Sequence, residues 1–513
     1  MVAFIAFLQQ RSPPESPNDQ AFSLPPQTME YAQFRMMARL AIGVHLFEDG
    51  VQPTVTEAES RPDANDDHSD ADADANASRN TDSDPAPAPD IDADVDDPST
   101  DDYKSRGQSA SGQRSPPLAA ADAYIDGLEE VAVTPYERIC LAIVEGEVRG
   151  DDAMLARLDE VMHLHGDELN ADLREDVEAI RQFGRRNATV DVAYWESMHR
   201  LAQRYSWFGE LLKSKASSSQ SDQRREALRP AWGTLIFVIA FFIVGFGLLA
   251  IGLAMGITAI VLYATGKLRF LYRPALDAAA PKPASSHVYL EVFVAFIAAF
   301  IAISLAVGWF EQQFPTWPSP QLPAVCLVLL LLLLPRFRGV GKAYRRAAMA
   351  IQAPRGVIVE GLLGLVGYVA TLPILAAGVV GVLILNAIMT RFAPSSGTAS
   401  HPAAVELMSA SWPKVLMLYV LACVWAPVTE ELFFRGALLH HLRTRMPLIP
   451  AALLVGLIFA AIHPQGIIAV PALAAIGFNF SLIREWRNSM VAPMVAHAVH
   501  NATAFTFVML LFR

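Results

Sequence analysis

The sequence predicts an all-α fold: a polytopic membrane helix bundle of about eight transmembrane spans, preceded by a disordered acidic segment and a small soluble helical domain. Three observations carry this prediction. Hydrophobic residues make up 53% of the 513 residues, and charged residues only 18%. Apolar runs long enough to cross a bilayer begin after residue 231. Residues 57–102 hold 17 acidic and two basic side chains, so the net charge of −12 belongs to one low-complexity segment.

The first 215 residues divide into three parts by composition. Residues 1–49 carry a weak helical pattern, and their structure is left open. Residues 50–117 are rich in Asp, Ala, Pro and Ser, so we expect a disordered acidic linker that acts as a solvated spacer. Short amphipathic helices over residues 118–215 indicate a soluble helical domain. One of these helices begins at a predicted capping box formed by Thr134 and Glu137.

Eight apolar elements follow. The first, at 232–263, would be about 48 Å long as a helix against a hydrocarbon core of about 30 Å, so it is either one long tilted helix or a tight hairpin. The other seven lie at 288–310, 322–335, 357–389, 415–442, 449–463, 466–483 and 490–512. We therefore expect an integral protein of a bacterial-type plasma membrane, surrounded by the lipid bilayer.

The basic residues predict the orientation of these elements. Lys and Arg cluster at 267–273, 336–355, 443–445 and 484–487, which indicates the cytoplasmic side. A single first crossing would place the helical domain on the opposite side, whereas a hairpin would place it in the cytoplasm. Because the start of the chain lacks the basic region and cleavage site of a secretory signal peptide, a cytoplasmic domain is favoured.

Three ionisable residues interrupt the apolar run at 415–442. Glu430, Glu431 and Arg435 lie within six residues, and a charge near the middle of a bilayer costs roughly 2.5–3.5 kcal/mol. Glu431 and Arg435 are spaced i,i+4, so they can pair on one helical face. Glu430 points about 100° away from Glu431 and lies off that face. We interpret Glu431 and Arg435 as a structural pair and Glu430 as a functional carboxylate.

Further polar residues interrupt the later apolar elements. His463 follows Phe459 by one turn, and His497 and Asn501 share a helical face at i,i+4. Measured along the helix, Glu430 lies about 20 Å before the turn that follows the apolar element at 415–442. His463 lies at a similar distance after that turn. An antiparallel hairpin therefore brings these two residues to similar depth. The approach of His497 depends on tertiary packing, and Phe459 is expected to act through packing.

A carboxylate, two imidazoles and a carboxamide in a cavity of low dielectric constant suit hydrolysis. Glu430 can act as the general base on water, and His463 can orient that water or carry the proton. His497 and Asn501 can donate hydrogen bonds to an oxyanion. No cofactor is needed for this mechanism. Alternatively, Glu430, His463 and His497 can bind Zn²⁺, although the sequence contains no HExxH motif.

Three motifs in a fixed order resemble the CPBP family. They are Glu-Glu-x-x-x-Arg at 430–435, Phe-x-x-x-His at 459–463 and His-x-x-x-Asn at 497–501. That family groups the CAAX prenyl proteases of the Ras-converting type with bacterial Abi proteins linked to bacteriocin processing and self-immunity. The resemblance covers about residues 357–512.

The resemblance implies an intramembrane endopeptidase, of glutamate type or metallo-type. By position, it implies Glu430 as the base, His463 as its partner, and His497 with Asn501 around the oxyanion. It divides the membrane part into accessory spans over 231–356 and a CAAX-protease-like catalytic domain over 357–513. The expected substrate is a membrane-associated peptide or protein, and no nucleic-acid partner is expected.

Two functions of other classes stay open. A non-catalytic immunity or scaffold protein would keep the fold and bind a peptide or a partner, and Glu430→Gln would then leave its function intact. A proton-coupled transporter would use the buried carboxylate as a relay, but the repeated halves that favour a transporter are absent from the sequence. The native substrate and the oligomeric state stay open. Five other residues are interpreted as turn or interface residues: His440, His441, His500, Trp486 and Arg487.

Overall fold

The structure is a computed structural model. It describes residues 29–50, 118–166, 169–185, 192–215, 221–270, 287–314, 326–392, 407, 411–463 and 465–512. The acidic linker predicted to be disordered lies outside the described residues, apart from Gly50.

The described residues form helices and contain no strand, which confirms the predicted all-α class. The first seven helices are α1 Met29–Glu48, α2 Leu118–Val131, α3 Pro135–Val148, α4 Asp151–His165, α5 Ala171–Gly184, α6 Val192–Tyr205 and α7 Trp207–Ser214. The membrane part contains α8 Asp222–Ala264, α9 Val288–Gln313, α10 Val328–Phe337, α11 Lys342–Ala348, α12 Val357–Phe392, α13 Trp412–Arg443, α14 Leu448–Ala461, α15 Gly466–Arg487 and α16 Val491–Phe512.

Helices α1–α7 pack around one apolar core. Phe34 and Ile42 of α1 are fully buried in that core together with residues of α2–α7, so the N-terminal helix is part of the same unit. The predicted capping box is present: Thr134 Oγ1 accepts a hydrogen bond from the Glu137 N–H, and the Thr134 N–H donates to Glu137 Oε2 at 2.9 Å. These two bonds satisfy backbone donors that the first turn of α3 would otherwise leave unpaired.

Six helices are long and apolar enough to cross a membrane: α8, α9, α12, α13, α15 and α16. Two shorter apolar helices, α10 and α14, account for the remaining predicted elements. Many large apolar side chains are exposed on the long helices, such as Ile243 and Phe246 on α8. Apolar surface of this extent suits lipid rather than water. The structure therefore confirms a helical membrane bundle, with six long helices and two short ones in its described residues.

Three of the four basic clusters, at 336–355, 443–445 and 484–487, meet at one end of the bundle. Arg484 Nη2 donates to the Ala348 carbonyl at 2.7 Å, and the Met490 N–H donates to the Ala350 carbonyl at 2.9 Å. Arg443 Nε donates to Glu485 Oε2 at 3.1 Å. The end of α13, the end of α15, the start of α16 and the segment before α12 therefore lie together. We call this the basic end of the bundle.

The helical domain lies at the opposite end. Helix α8 is one uninterrupted helix of 43 residues, so the hairpin alternative is wrong. Its early residues Leu228 and Ala231 belong to the core of the helical domain. Four turns into α16, Phe507 packs against Phe241 of α8 at a ring distance of 4.3 Å. Because α16 begins at the basic end and Phe507 lies near its other end, α8 starts far from the basic loops.

Candidate active site

Helix α13 departs from α-helical geometry on both sides of Glu430. Residues Leu421–Trp425 and Glu431–Leu438 are π-helical, and Ala426–Glu430 between them are α-helical. A π-helical turn bonds each N–H to the carbonyl five residues earlier, and such turns are frequent at functional sites. They change which carbonyls are available and rotate the residues that follow them.

Pro427 explains how one of these carbonyls binds Asn501. In the π-helical register the Ala426 N–H donates to the Leu421 carbonyl, so the next N–H would donate to the Ala422 carbonyl. Pro427 has no N–H. Asn501 Nδ2 donates to the Ala422 carbonyl instead, at 2.7 Å. The hydrogen bond fixes α16 against α13 and uses one of the two amide protons of Asn501.

Arg435, Glu431 and His497 form a buried chain of charge-assisted contacts. Arg435 Nη1 donates to Glu431 Oε1 at 3.0 Å, as the i,i+4 spacing predicts. The same carboxylate oxygen accepts a bond from His497 Nδ1 at 2.9 Å. Arg435 and Glu431 are fully buried, and His497 is 3% exposed. The pair predicted to be structural therefore also orients a candidate catalytic imidazole.

Aromatic rings surround the Arg435 guanidinium. It lies 4.9 Å from the ring centroid of Phe459 and 5.4 Å from that of Phe480, and its Nη2 donates to the Gly477 carbonyl at 3.0 Å. Phe480 in turn stacks on His497 at 4.8 Å. The rings exclude water from the charge chain, which strengthens its electrostatic interactions. Phe459 thus packs against the Arg435 guanidinium.

His463 lies just after α14, in the turn before α15. Its Nδ1 is 2.5 Å from the Phe459 carbonyl oxygen, and its ring packs on Phe459 at 4.3 Å. A carbonyl oxygen can only accept, so Nδ1 must donate. The neutral His463 ring therefore has no proton on Nε2, which is available as an acceptor.

The same reasoning assigns the tautomer of His497. Its Nδ1 is bonded to the Glu431 carboxylate oxygen that also accepts from Arg435 Nη1. A carboxylate oxygen paired with a guanidinium acts as an acceptor. Nδ1 therefore carries the proton, and Nε2 of the neutral ring is an acceptor. That atom lies 3.9 Å from Glu430 Oε2, and it becomes a donor only when the ring is an imidazolium.

A cavity of about 220 Å³ joins these residues. Glu430, which is 6% exposed, lines it from α13. The other walls come from α14, from α15, from the turn between them and from α16. The lining residues are Ala422, Ala426, Glu430, Phe459, His463, Gln465, Leu473, Ile476, His497, His500, Asn501, Ala504 and Phe505. All four residues predicted to be catalytic thus share one cavity, and Glu431 and Arg435 lie behind its wall.

The cavity lies in the half of the bundle remote from the basic end. Glu430 is 13 residues from the basic end of α13, and Ala422 is 21 residues from it, which corresponds to about 20 and 31 Å of helix. On α16, the lining continues to Phe505, two residues before the contact with α8. The cavity therefore extends toward the helical domain.

Two interpretations from the sequence are wrong. His500 lines the cavity and forms a hydrogen bond with Tyr368; it is not a turn or interface residue. Arg487 is 4% exposed and forms two hydrogen bonds with buried Glu360, at 3.0 and 2.9 Å, so it is not an interface anchor. Glu360 has a signal in the sequence, because it is a carboxylate at the start of an apolar helix.

The donor types of Glu430, His463 and His497 are those that zinc prefers. In the described residues, however, no three His, Cys, Asp or Glu side chains converge as a metal site. The Nδ1 atoms of both histidines are already bonded to protein acceptors. The zinc alternative stays a prediction, and no step below is derived through a metal.

One comparison with known proteins covers the segment that contains these residues. The family model of the type II CAAX prenyl endopeptidase Rce1-like matches residues 412–503, a segment that contains Glu430, His463, His497 and Asn501. No curated protein and no solved structure matches the chain. Residues 412–503 are therefore similar to the Rce1-like type II CAAX prenyl endopeptidases, and over this segment the resemblance predicted from the three motifs is confirmed.

Proposed function

We propose that this protein is an intramembrane endopeptidase of the CAAX-protease-like type, which hydrolyses a peptide bond of a membrane-associated protein or peptide with water activated by Glu430. One observation carries the proposal: a buried carboxylate and two imidazoles whose Nδ1 atoms both donate to protein acceptors line one cavity between apolar helices. The carboxylate oxygens and the two Nε2 atoms are then acceptors. Together they can bind and deprotonate water.

The geometry supports a position for the nucleophilic water. Glu430 Oε2 and His497 Nε2 are 3.9 Å apart, and both can accept. One water spans that gap with two hydrogen bonds of about 2.8 Å. Its oxygen lone pair then faces away from both acceptors, toward a substrate carbonyl in the cavity. His463 Nε2 is a further acceptor in the same cavity.

The proposed reaction proceeds in two steps. Water attacks the peptide carbonyl carbon while Glu430 takes its proton, which forms a tetrahedral intermediate with an oxyanion. Collapse of the intermediate breaks the C–N bond, and the protonated Glu430 returns its proton to the leaving amine. The products are a new carboxyl terminus and a new amino terminus, and no redox change occurs.

Asn501 and His497 have distinct proposed roles at the oxyanion. Asn501 keeps one amide proton for the Ala422 carbonyl and has a second available for the oxyanion. His497 donates from Nε2 only after it has gained a proton, because its Nδ1 proton is bonded to Glu431. We therefore assign Asn501 to the oxyanion in every protonation state, and His497 only as an imidazolium.

The experiment that tests this proposal compares cells that express wild type, Glu430→Gln and His463→Ala at matched levels. New peptide termini in the membranes are catalogued by mass spectrometry. Glu291→Gln is the control, because it also neutralises a carboxylate of a transmembrane helix, and its partner Arg338 lies outside the cavity. Termini present with wild type and Glu291→Gln but absent from the two cavity variants support proteolysis. Identical termini in all four, with each protein folded, would favour the immunity or scaffold alternative.

A further inference from the structure

His500 is a polar residue of the cavity wall that the proposed mechanism does not use. It lies on α16 between His497 and Ala504, both of which also line the cavity. On its other side it meets α12, where Tyr368 Oη lies 2.9 Å from its Nδ1. Its Nε2 has no protein partner in the described residues.

The Tyr368 hydroxyl fixes the tautomer of His500. A hydroxyl can donate or accept. If Tyr368 accepted from Nδ1, its own proton would need another acceptor, and the part of the chain that the structure describes offers none. Tyr368 is half-buried between apolar helices, where a hydroxyl proton without an acceptor is costly. Tyr368 therefore donates to Nδ1, and the proton of the neutral His500 ring lies on Nε2.

The three neutral imidazoles of the cavity thus differ in whether Nε2 donates or accepts a hydrogen bond. His463 and His497 donate through Nδ1 to a carbonyl and a carboxylate, so their neutral rings present an acceptor at Nε2. His500 accepts at Nδ1 and presents an N–H at Nε2. The group bonded to Nδ1 decides the tautomer in each case.

We propose that His500 is a substrate-binding residue whose Nε2–H donates a hydrogen bond to a backbone carbonyl of the bound peptide, and that Tyr368 holds it in this tautomer. The inference rests on the proposed function. A peptide entering an apolar cavity needs donors for its carbonyl groups, because water is not available to satisfy them. Before the reaction, the Glu430 carboxylate and the Nε2 atoms of neutral His463 and His497 supply only acceptors. His500 and the second amide proton of Asn501 supply the donors.

A purely structural role is the competing explanation, since the Tyr368–His500 bond also ties α12 to α16. Tyr419→Phe is the matched control for that role. The Tyr419 hydroxyl lies 3.0 Å from Thr506 Oγ1 and so ties α13 to the same helix α16, and neither residue lines the cavity. Both tyrosine variants lose an interhelical hydrogen bond. Only Tyr368→Phe also changes the tautomer of His500.

The first measurement is the ¹⁵N spectrum of histidine-labelled protein in lipid nanodiscs, with the His500 signals assigned by comparison with His500→Gln. We expect the Nε2–H tautomer at His500 in wild type and in Tyr419→Phe, and a shift toward the other tautomer in Tyr368→Phe. A His500 ring protonated on Nδ1 in wild type would overturn the proposal, whatever the activity of the protein.

The second measurement uses a synthetic peptide that spans a cleavage site found from the new termini. We expect His500→Leu to lower kcat/KM about tenfold, the usual effect of one lost hydrogen bond. His500→Gln, which keeps an N–H donor, should stay within about threefold of wild type, and Tyr419→Phe should match it. If His500→Leu cleaves as well as wild type while Glu430→Gln is inactive, the inference is wrong and the proposed function stands. If cleavage does not depend on Glu430, the proposed function fails, and this inference fails with it.

Discussion

Glu431 accepts hydrogen bonds from both Arg435 and His497 with the same carboxylate oxygen, at 3.0 and 2.9 Å. The oxygen belongs to a fully buried side chain and joins a helical i,i+4 pair to a histidine 66 residues later in the chain. The oxygen that accepts from Arg435 also accepts from His497 Nδ1, so it places the His497 proton on Nδ1. The two acidic residues of the motif therefore have separate tasks: Glu430 lines the cavity, and Glu431 orients the imidazole that faces it.

We expect Glu431→Gln to destabilise the fold, because it leaves the Arg435 guanidinium buried without a counter-charge. Loss of one member of a buried ion pair costs about 3–5 kcal/mol. Thermal unfolding of the detergent-purified protein measures the effect. Glu291→Gln removes a carboxylate that pairs with Arg338, and both side chains of this pair are part-exposed. We therefore expect it to lower the free energy of unfolding by less than about 1 kcal/mol. Equal stability of the two variants would contradict the role assigned to Glu431.

We expect Asn501 and Pro427 to be energetically coupled. Asn501→Leu removes the donor to the Ala422 carbonyl and should destabilise the fold by about 1–3 kcal/mol. In a Pro427→Ala background, the restored N–H can satisfy that carbonyl, so the same substitution should cost about 1 kcal/mol less. A double-mutant cycle of unfolding free energies measures the coupling. Strictly additive effects would show that the carbonyl does not depend on Asn501.

We expect the fold to be destabilised when only one member of the buried ion pair of Glu360 and Arg487 is removed. The two side chains bond through two N–H···O contacts across α12 and α15. Glu360→Gln alone should destabilise by about 3–5 kcal/mol, whereas Glu360→Met combined with Arg487→Met should recover most of that loss. Unfolding midpoints of the two variants provide the test. A double variant less stable than Glu360→Gln would rule out this explanation.

We expect the helical domain and the basic loops to lie on opposite sides of the membrane, so that a thiol reagent reaches them from different sides. Single cysteines introduced as Glu178→Cys in the domain and Lys342→Cys at the basic end test this, with the native Cys140, Cys326 and Cys423 replaced by Ala. The positive-inside rule predicts that a membrane-impermeant maleimide labels the first in intact cells and the second only after permeabilisation. Labelling of both from the same side would contradict the single crossing by α8.

Local spacing accounts for what the sequence predicted at the site. The Glu431–Arg435 pair follows from i,i+4 geometry within one helix. The common depth of Glu430 and His463 follows from helix rise on the two sides of one turn. The capping box at Thr134 is local in the same way. Each of these relationships involves a short stretch of chain, so residue identities and helical periodicity suffice.

The relationships that the sequence did not predict all join separate helices. Tyr368 meets His500 across 132 residues, and Glu360 meets Arg487 across 127. Such contacts depend on which helix faces which, and periodicity does not determine that order. The apolar helices of the bundle also lack a clear polar face that would indicate their neighbours. Periodicity alone therefore predicts an interface position for His500, although it lies one residue before Asn501 in the His-x-x-x-Asn motif.

The central claim is that Glu430 activates water for peptide hydrolysis. It is tested most directly with purified protein in nanodiscs and a peptide that spans a cleavage site found from the new termini, as wild type, Glu430→Gln and Glu291→Gln. The account predicts one new carboxyl terminus that takes up ¹⁸O from labelled water, at similar rates for wild type and Glu291→Gln and about 10²–10⁴-fold more slowly for Glu430→Gln. Parallel reactions with a chelator then separate the glutamate mechanism from the zinc alternative. Cleavage by folded Glu430→Gln at the wild-type rate would contradict the account.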